Sequence, residues 1–227
     1  MLQQIDKKKI FVYLFFLFTL STLNNLSLNK SELFKLRINQ INVLGLSNED
    51  NNKIAENLNK LIFQNIFFLD KEYIIQILAK KNLIHSYEIK KIYPSSIAVI
   101  IKKAKFLAIT NYNNKNYFIG SNSKLIESNS INKNLPYVFG KTDFIDFVNF
   151  VKIIENSNFN FKEISEIFFF QSGRWDIKIK NGVLFKLPKI NLTESLNLAY
   201  QIMNKDNFKN IKIVDLRILN HVILTNE

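Results

Sequence analysis

The chain has 227 residues, of which 47% are hydrophobic, enough for one large or two small domains behind an N-terminal segment. It has no cysteine and only two histidines, His85 and His221, which excludes cysteine nucleophiles and thiolate zinc sites and leaves too few imidazoles for most metal sites. The net charge of +12 includes only three arginines, the residues that read nucleic-acid grooves best, so it indicates a solvated basic surface and no nucleic-acid partner.

The N-terminus carries an apolar stretch from Ile10 to Leu28, directly behind Lys7, Lys8 and Lys9. A helix rises ~1.5 Å per residue, so this stretch reaches just across a ~30 Å hydrocarbon core. We predict a transmembrane helix over 10–28 and a cytoplasmic tail over 1–9, since the lysines hold the N-terminus inside. The anchor residues are Ile10, Phe11, Leu14, Phe15, Phe16, Leu17 and Phe18.

The alternative for this stretch is a cleaved signal peptide, which also has a basic start and a short apolar run. No small-x-small cleavage site follows the stretch, and the first alanine is Ala55. This absence favours a retained anchor.

A polar connector over 29–35 leads into a segment whose apolar residues alternate over 34–45, which predicts a strand with a bulge, ended by Gly45. Ser47 and Asp70 each stand before apolar residues at helical spacing. They therefore predict two capped helices.

Two further strands are predicted over 84–92 and 96–103, joined by a turn at Pro94. The order over 36–103 is thus β-α-α-β-β. With its characteristic segments, this order resembles a POTRA domain: Ile41-Asn42-Val43-Leu44-Gly45, Asn65-Ile66-Phe67-Phe68-Leu69-Asp70 and Ile92-Tyr93-Pro94-Ser95-Ser96-Ile97. A POTRA domain directly outside one N-terminal membrane helix resembles the bacterial cell-division proteins of the FtsQ/DivIB family.

The second half, residues 104–227, predicts a mostly antiparallel β domain with flanking helices. Asp143 caps one predicted helix, and Asn191 begins another with Glu194 as its capping-box partner. Asn181-Gly182 predicts a type I′ hairpin. Four segments in family order extend the resemblance to nearly the whole chain: Leu135-Pro136 with Gly140, Arg174-Trp175-Asp176 before Asn181-Gly182, Leu187-Pro188, and Val214-Asp215-Leu216-Arg217.

Two acid and base pairs stand out in this half. Arg174 and Asp176 are two residues apart on a predicted strand and share a face, and so are Asp215 and Arg217. If the two strands are neighbours, the four side chains form crossed charge pairs. No Gly-rich phosphate loop or Ser-His-Asp spacing accompanies them, so we interpret them as structural, and we predict no catalytic, cofactor-binding or metal-binding residue.

A terminal strand at a sheet edge exposes backbone groups that a partner strand can complete by β-augmentation. The family resemblance implies that the last strands capture the small bitopic protein FtsB, which forms a coiled coil with FtsL. By position this role falls on Arg217, Ile218, Asn220, His221, Val222, Ile223 and Leu224. The alternative is simple hairpin pairing of 222–224 with 211–216, and both can hold because a strand has two edges.

The sequence therefore predicts an α+β protein with a transmembrane helix, a POTRA domain and an FtsQ-type β domain. The resemblance implies a non-enzymatic scaffold of the division machinery (divisome), single-pass in the bacterial inner membrane at the septum, with a cytoplasmic N-terminus and periplasmic domains. No cofactor or small-molecule substrate is implied. The alternatives are a POTRA-type chaperone in envelope protein secretion or outer-membrane assembly and, least favoured, an envelope enzyme such as a wall hydrolase.

Overall fold

A computed structural model of the protein describes residues 7–23, 36–127, 134–204, 211–218 and 221–226. These residues form five α-helices and twelve strands, in the order α1 (Lys7–Leu23), β1 (Gln40–Leu44), α2 (Asn48–Asn57), α3 (Lys71–Ala79), β2 (Ile84–Ile92), β3 (Ser96–Lys103), β4 (Phe106–Tyr112), β5 (Lys115–Gly120), β6 (Leu125–Glu127), β7 (Tyr137–Phe139), α4 (Phe144–Glu155), β8 (Ile164–Phe169), β9 (Trp175–Ile179), β10 (Leu184–Lys186), α5 (Leu192–Met203), β11 (Ile213–Asp215) and β12 (Ile223–Thr225).

Helix α1 has 17 residues, and all seven predicted anchor side chains lie exposed on it. Among the described residues, no helix combines the length and the apolar character needed to cross a membrane. Residues 24–28 of the predicted span and the connector 29–35 lie outside the described residues. The transmembrane span thus stays a prediction.

The chain divides into two units, residues 1–77 with 88–100 and residues 78–87 with 101–227. A three-stranded sheet in the order β1-β3-β2 accompanies the helices α2 and α3, with β1 parallel to β3. Both predicted caps form: the Ser47 hydroxyl accepts the Asp50 N–H at 3.2 Å, and Asp70 Oδ1 accepts the Tyr73 N–H at 3.0 Å. The mixed α+β order matches the expected POTRA pattern.

The first strand is shorter than the alternation over 34–45 predicts. It begins at Gln40, and the residues just before it pair elsewhere: Arg37 bridges Asn65, and Ile38 donates its N–H to the Gln64 carbonyl at 2.9 Å. The alternating segment therefore pairs with two partners: residues 37–38 with residues 64–65, and β1 with β3.

The second unit contains a nine-stranded sheet in the order β12-β11-β10-β9-β8-β7-β4-β5-β6. Five of its eight strand pairs are antiparallel. The pairs β7–β8 and β10–β11 are parallel because α4 and α5 lie between them in the chain, and parallel neighbours need such a crossover.

Aromatic and branched side chains from α4, α5 and the sheet form the main core of this unit. Trp175 is at its centre, with its ring stacked on Phe150 at 4.6 Å and tilted against Phe169 at 4.6 Å. Trp175 therefore has a packing role, because a buried tryptophan side chain removes a large apolar area from water.

Two local predictions in this unit are wrong. A type I′ turn needs a positive φ at both central residues, and in Asn181-Gly182 only Gly182 has one, so the β9–β10 turn is not type I′. In the β4–β5 hairpin, both Asn113 and Asn114 have a positive φ. Asn191, at φ 56°, makes no side-chain cap to α5, because a capping residue needs an extended backbone.

Candidate functional site

The last strand, β12, lies at one end of the nine-stranded sheet. It pairs with β11 through Ile213↔Thr225, Val214↔Leu224 and Asp215↔Ile223. Within the part of the chain that the structure describes, no strand pairs with its other side. The expected hairpin-like pairing and the expected open edge are both present in this arrangement.

Apolar side chains of β12 are exposed on both faces of the sheet. Directly opposed residues of paired strands share a face of the sheet. Leu224 therefore continues a row of fully buried residues on one face, namely Ile167, Ile177, Phe185 and Val214. Ile223 continues the opposite row, which is polar at Asp176, Lys186 and Asp215. Ile223 is 50% exposed and Leu224 is 49% exposed, so an added strand would find apolar contacts on either side.

The predicted charged residues form two pairs, each within its own strand segment. Arg174 Nε donates to Asp176 Oδ1 at 3.1 Å, and Arg217 Nε donates to Asp215 Oδ1 at 2.8 Å. The condition for crossed pairs, that the two strands are neighbours, is not met, because β10 lies between β9 and β11. Lys186 of β10 instead stands opposite both aspartates, in a row that depends on long-range strand pairing.

The two aspartates differ electrostatically. Burial raises the pKa of Asp176, and the nearby Arg174 charge and hydrogen bond oppose this rise. The Arg217 hydrogen bond lowers the pKa of Asp215, and Asp215 in turn raises the pKa of Arg217. The Asp215–Arg217 pair is therefore held ionised at the end of β11.

A cavity of about 200 Å³ opens next to this end of β11. Three of the predicted partner-binding residues line it, namely Arg217, Ile218 and His221. The remaining walls come from Leu216 and from the start of α5 and the residues before it: Pro188, Ile190, Asn191, Glu194, Ser195 and Leu198. This second group could not be found from the sequence, because only the parallel β10–β11 crossover brings α5 beside the C-terminal segment.

Asn220 lies outside the described residues, whereas His221 donates its N–H to the Ile218 carbonyl at 3.1 Å. Within the described ranges, no three His, Cys, Asp or Glu side chains are grouped so that they could hold a metal ion. The geometry of this region is that of a strand edge beside an apolar cavity, which suits the binding of an extended peptide.

Comparison with protein families matches residues 36–103 to the FtsQ-type POTRA domain and residues 108–217 to the C-terminal region of cell division protein FtsQ/DivIB. The chain belongs to the FtsQ/DivIB family. The family identification made from the sequence motifs is thus confirmed, and with it a role in cell division. Strand β12 lies just beyond the matched residues.

One solved structure similar to this FtsQ/DivIB family member is the major extracytoplasmic domain of the trans isomer of the cell division protein DivIB from Geobacillus stearothermophilus. The identity is 12%, the match covers 45% of this chain and 92% of that one, and the TM-score is 0.35. A comparison with curated protein sequences finds no match.

Proposed function

We propose that this FtsQ/DivIB family member is a non-enzymatic, membrane-anchored scaffold of the divisome that captures the FtsB/FtsL coiled coil through its C-terminal strand. The observation that carries the proposal is the position of β12 at the end of the sheet with an unpaired outer side among the described strands. A strand edge of this kind presents N–H and C=O groups in a row that another chain can complete.

The side chains of β12 support capture of a strand. Natural edge strands are commonly protected by lysine, proline or inward charges, whereas Ile223 and Leu224 are apolar and about half exposed. The strand has only three residues, so an added partner strand would find few backbone groups and would need side-chain contacts as well. The cavity beside Arg217, Ile218 and His221 offers a place for one apolar side chain of the partner.

The proposed anchor is the apolar stretch predicted over 10–28. Its described part, α1, begins with three lysines, and the apolar side chains that follow from Ile10 to Leu20 are exposed. This charge pattern supports a cytoplasmic N-terminus, with the POTRA and β domains, over 36–103 and 104–227, in the periplasm. The scaffold would thereby be confined to the inner membrane at the septum.

Depletion of the protein in its host, with a fluorescent fusion reporting its position, tests the division role. We expect filaments without septa after depletion and a mid-cell signal in untreated cells. Complementation with the Ile223→Asp variant then tests the strand, and Ile145→Asp, a change at an exposed isoleucine of α4, is the matched control. Normal septation after depletion, or full rescue by Ile223→Asp, would contradict the proposal.

A further inference from the structure

The first unit exposes four aromatic side chains that its own core does not use: Phe63, Phe67, Phe68 and Tyr93, here called the aromatic group. Phe63 is 72% and Phe68 is 84% exposed. The rings of Phe67 and Tyr93 pack against each other at 5.4 Å, and Lys91 donates to the Phe67 carbonyl at 2.9 Å. Exposed phenylalanines in such a short segment indicate a contact outside the described chain.

The backbone at Phe63 strengthens this conclusion. Its φ is +67°, a left-handed conformation that is unfavourable for a bulky side chain. The other non-glycine residues with positive φ in the described ranges are asparagines and a serine: Asn113, Asn114, Ser123 and Asn191. Asparagine would suit position 63 better, and the exposed ring of Phe63 gains little burial in return. A phenylalanine at position 63 is explained if its ring contacts something outside the described chain.

The aromatic group is attached to the segment by which the chain enters this unit. Phe63 donates its N–H to the Ile38 carbonyl at 2.7 Å, and Ile66 donates to the Leu36 carbonyl at 2.9 Å. Between the end of α1 at Leu23 and Leu36 there are twelve residues. Even fully extended, this length of chain spans only about 45 Å. The tether therefore keeps the residues that hold the aromatic group within about 45 Å of the surface that holds α1.

We propose that the aromatic group inserts into the interfacial layer of the bilayer that holds α1, an inference that rests on the proposed membrane anchor. Aromatic side chains are favoured at the level of the lipid headgroups. Three basic residues accompany the group and would attract anionic headgroups, namely Arg37, Lys60 and Lys91. The short tether makes this insertion an intramolecular event with a high effective concentration, so modest apolar contacts suffice.

The absence of cysteine from the sequence allows a direct test with single-cysteine variants of the full chain. Phe68→Cys reports on the aromatic group, and Tyr112→Cys, at a 54% exposed tyrosine of the second unit, is the matched control. Each variant is labelled with an environment-sensitive fluorophore and reconstituted into vesicles of phosphatidylethanolamine with about a quarter phosphatidylglycerol. We expect the label at position 68, and not at 112, to shift to the blue, to be quenched by spin-labelled lipids and to be protected several-fold from aqueous iodide.

Equal iodide access at both positions, in protein that resists alkaline extraction from the vesicles, would overturn this inference and leave the anchor intact. Protein that is extracted would instead overturn the proposed anchor. Protection at position 68 in cells but not in these vesicles would identify a protein partner and also overturn the inference.

A further variant separates packing from lipid contact. Phe63→Asn should raise the urea midpoint of the chain and reduce the protection at position 68. Unchanged protection would count against insertion.

Discussion

Leu224 lies directly opposite Val214 in the β11–β12 pair, yet Val214 is fully buried whereas Leu224 is 49% exposed. The apolar row that forms the core thus reaches the last strand and is only half covered there. A strand added to β12 would bury the rest of Leu224 and extend the same row, which connects the packing of the domain to its proposed capture of a partner.

The first prediction concerns this strand. Ile223→Asp should weaken binding of the FtsB/FtsL complex by at least about tenfold, because it places a charge where an apolar side chain would be buried by the added strand. Dissociation constants measured with the full chain in detergent would show the loss. The thermal midpoint should fall only slightly, since Ile223 is half exposed, although the new carboxylate lies opposite Asp215. Ile145→Asp should leave both quantities unchanged, and an unaltered affinity of Ile223→Asp would remove β12 from the interface.

The second prediction concerns the aromatic core. Trp175→Ala should reduce the free energy of unfolding by about 3–5 kcal/mol, because the buried ring stacks on Phe150 and contacts Phe147 and Phe169. Trp175→Phe should cost clearly less, since it keeps an aromatic ring in the same place. Urea unfolding followed by far-UV circular dichroism measures both values, and equal costs for the two variants would argue against ring stacking at this position.

The third prediction compares two glycines with nearly the same backbone. Gly140 has φ +98° and Gly182 has φ +95°, but a Cβ at Gly140 would overlap the Phe169 carbonyl oxygen, whereas a Cβ at Gly182 meets nothing within 4 Å. Gly182→Ala should therefore cost only the backbone strain of about 1–2 kcal/mol. Gly140→Ala should cost about 1–3 kcal/mol more, because the backbone of β8 must move. Similar urea midpoints for the two variants would show that no such contact exists.

The fourth prediction concerns pH. The folded-state pKa of Asp215 is lowered, so its contribution to stability is complete above the ordinary value of 3.8 and is lost as the pH falls through the folded value. The folded-state pKa of Asp176 is raised, so its contribution declines as the pH rises from 3.8 through the folded value.

Urea unfolding of Asp215→Asn and Asp176→Asn between pH 3 and pH 7, roughly the range over which carboxylates titrate, distinguishes the two residues. Relative to the unaltered chain, the loss in free energy of unfolding caused by Asp215→Asn should disappear at the acidic end of this range. The loss caused by Asp176→Asn should be smallest at the neutral end. Parallel pH profiles for the two variants would contradict the opposite shifts.

Local chemistry in the sequence is enough to predict several elements. Ser47, Asp70 and Asp143 all cap helices as expected, because a short acceptor side chain before an amphipathic segment satisfies the first free N–H groups. The failures at Asn181-Gly182 and Asn191 are also local: the same residue types permit more than one turn, and the surrounding strands decide which one forms.

Long-range pairing could not be obtained from the sequence. Lys186 stands between Asp176 and Asp215 only because α5 returns the chain to form a parallel β10–β11 pair. The same crossover brings Ile190 and Leu198 to the cavity beside Arg217. The exposure of Phe67 and Phe68 could not be predicted for a different reason, since an apolar run such as 66–69 is expected to be buried, and only Ile66 and Leu69 are.

Amide hydrogen exchange on the full chain, with and without the FtsB/FtsL complex, tests the central claim most directly. Capture by strand addition should slow exchange at Val222 to Thr225, while β6, the opposite edge strand of the same sheet, should exchange at the same rate in both samples. Protection at β6 or only in the first unit, with unchanged exchange at 222–225, would contradict the account.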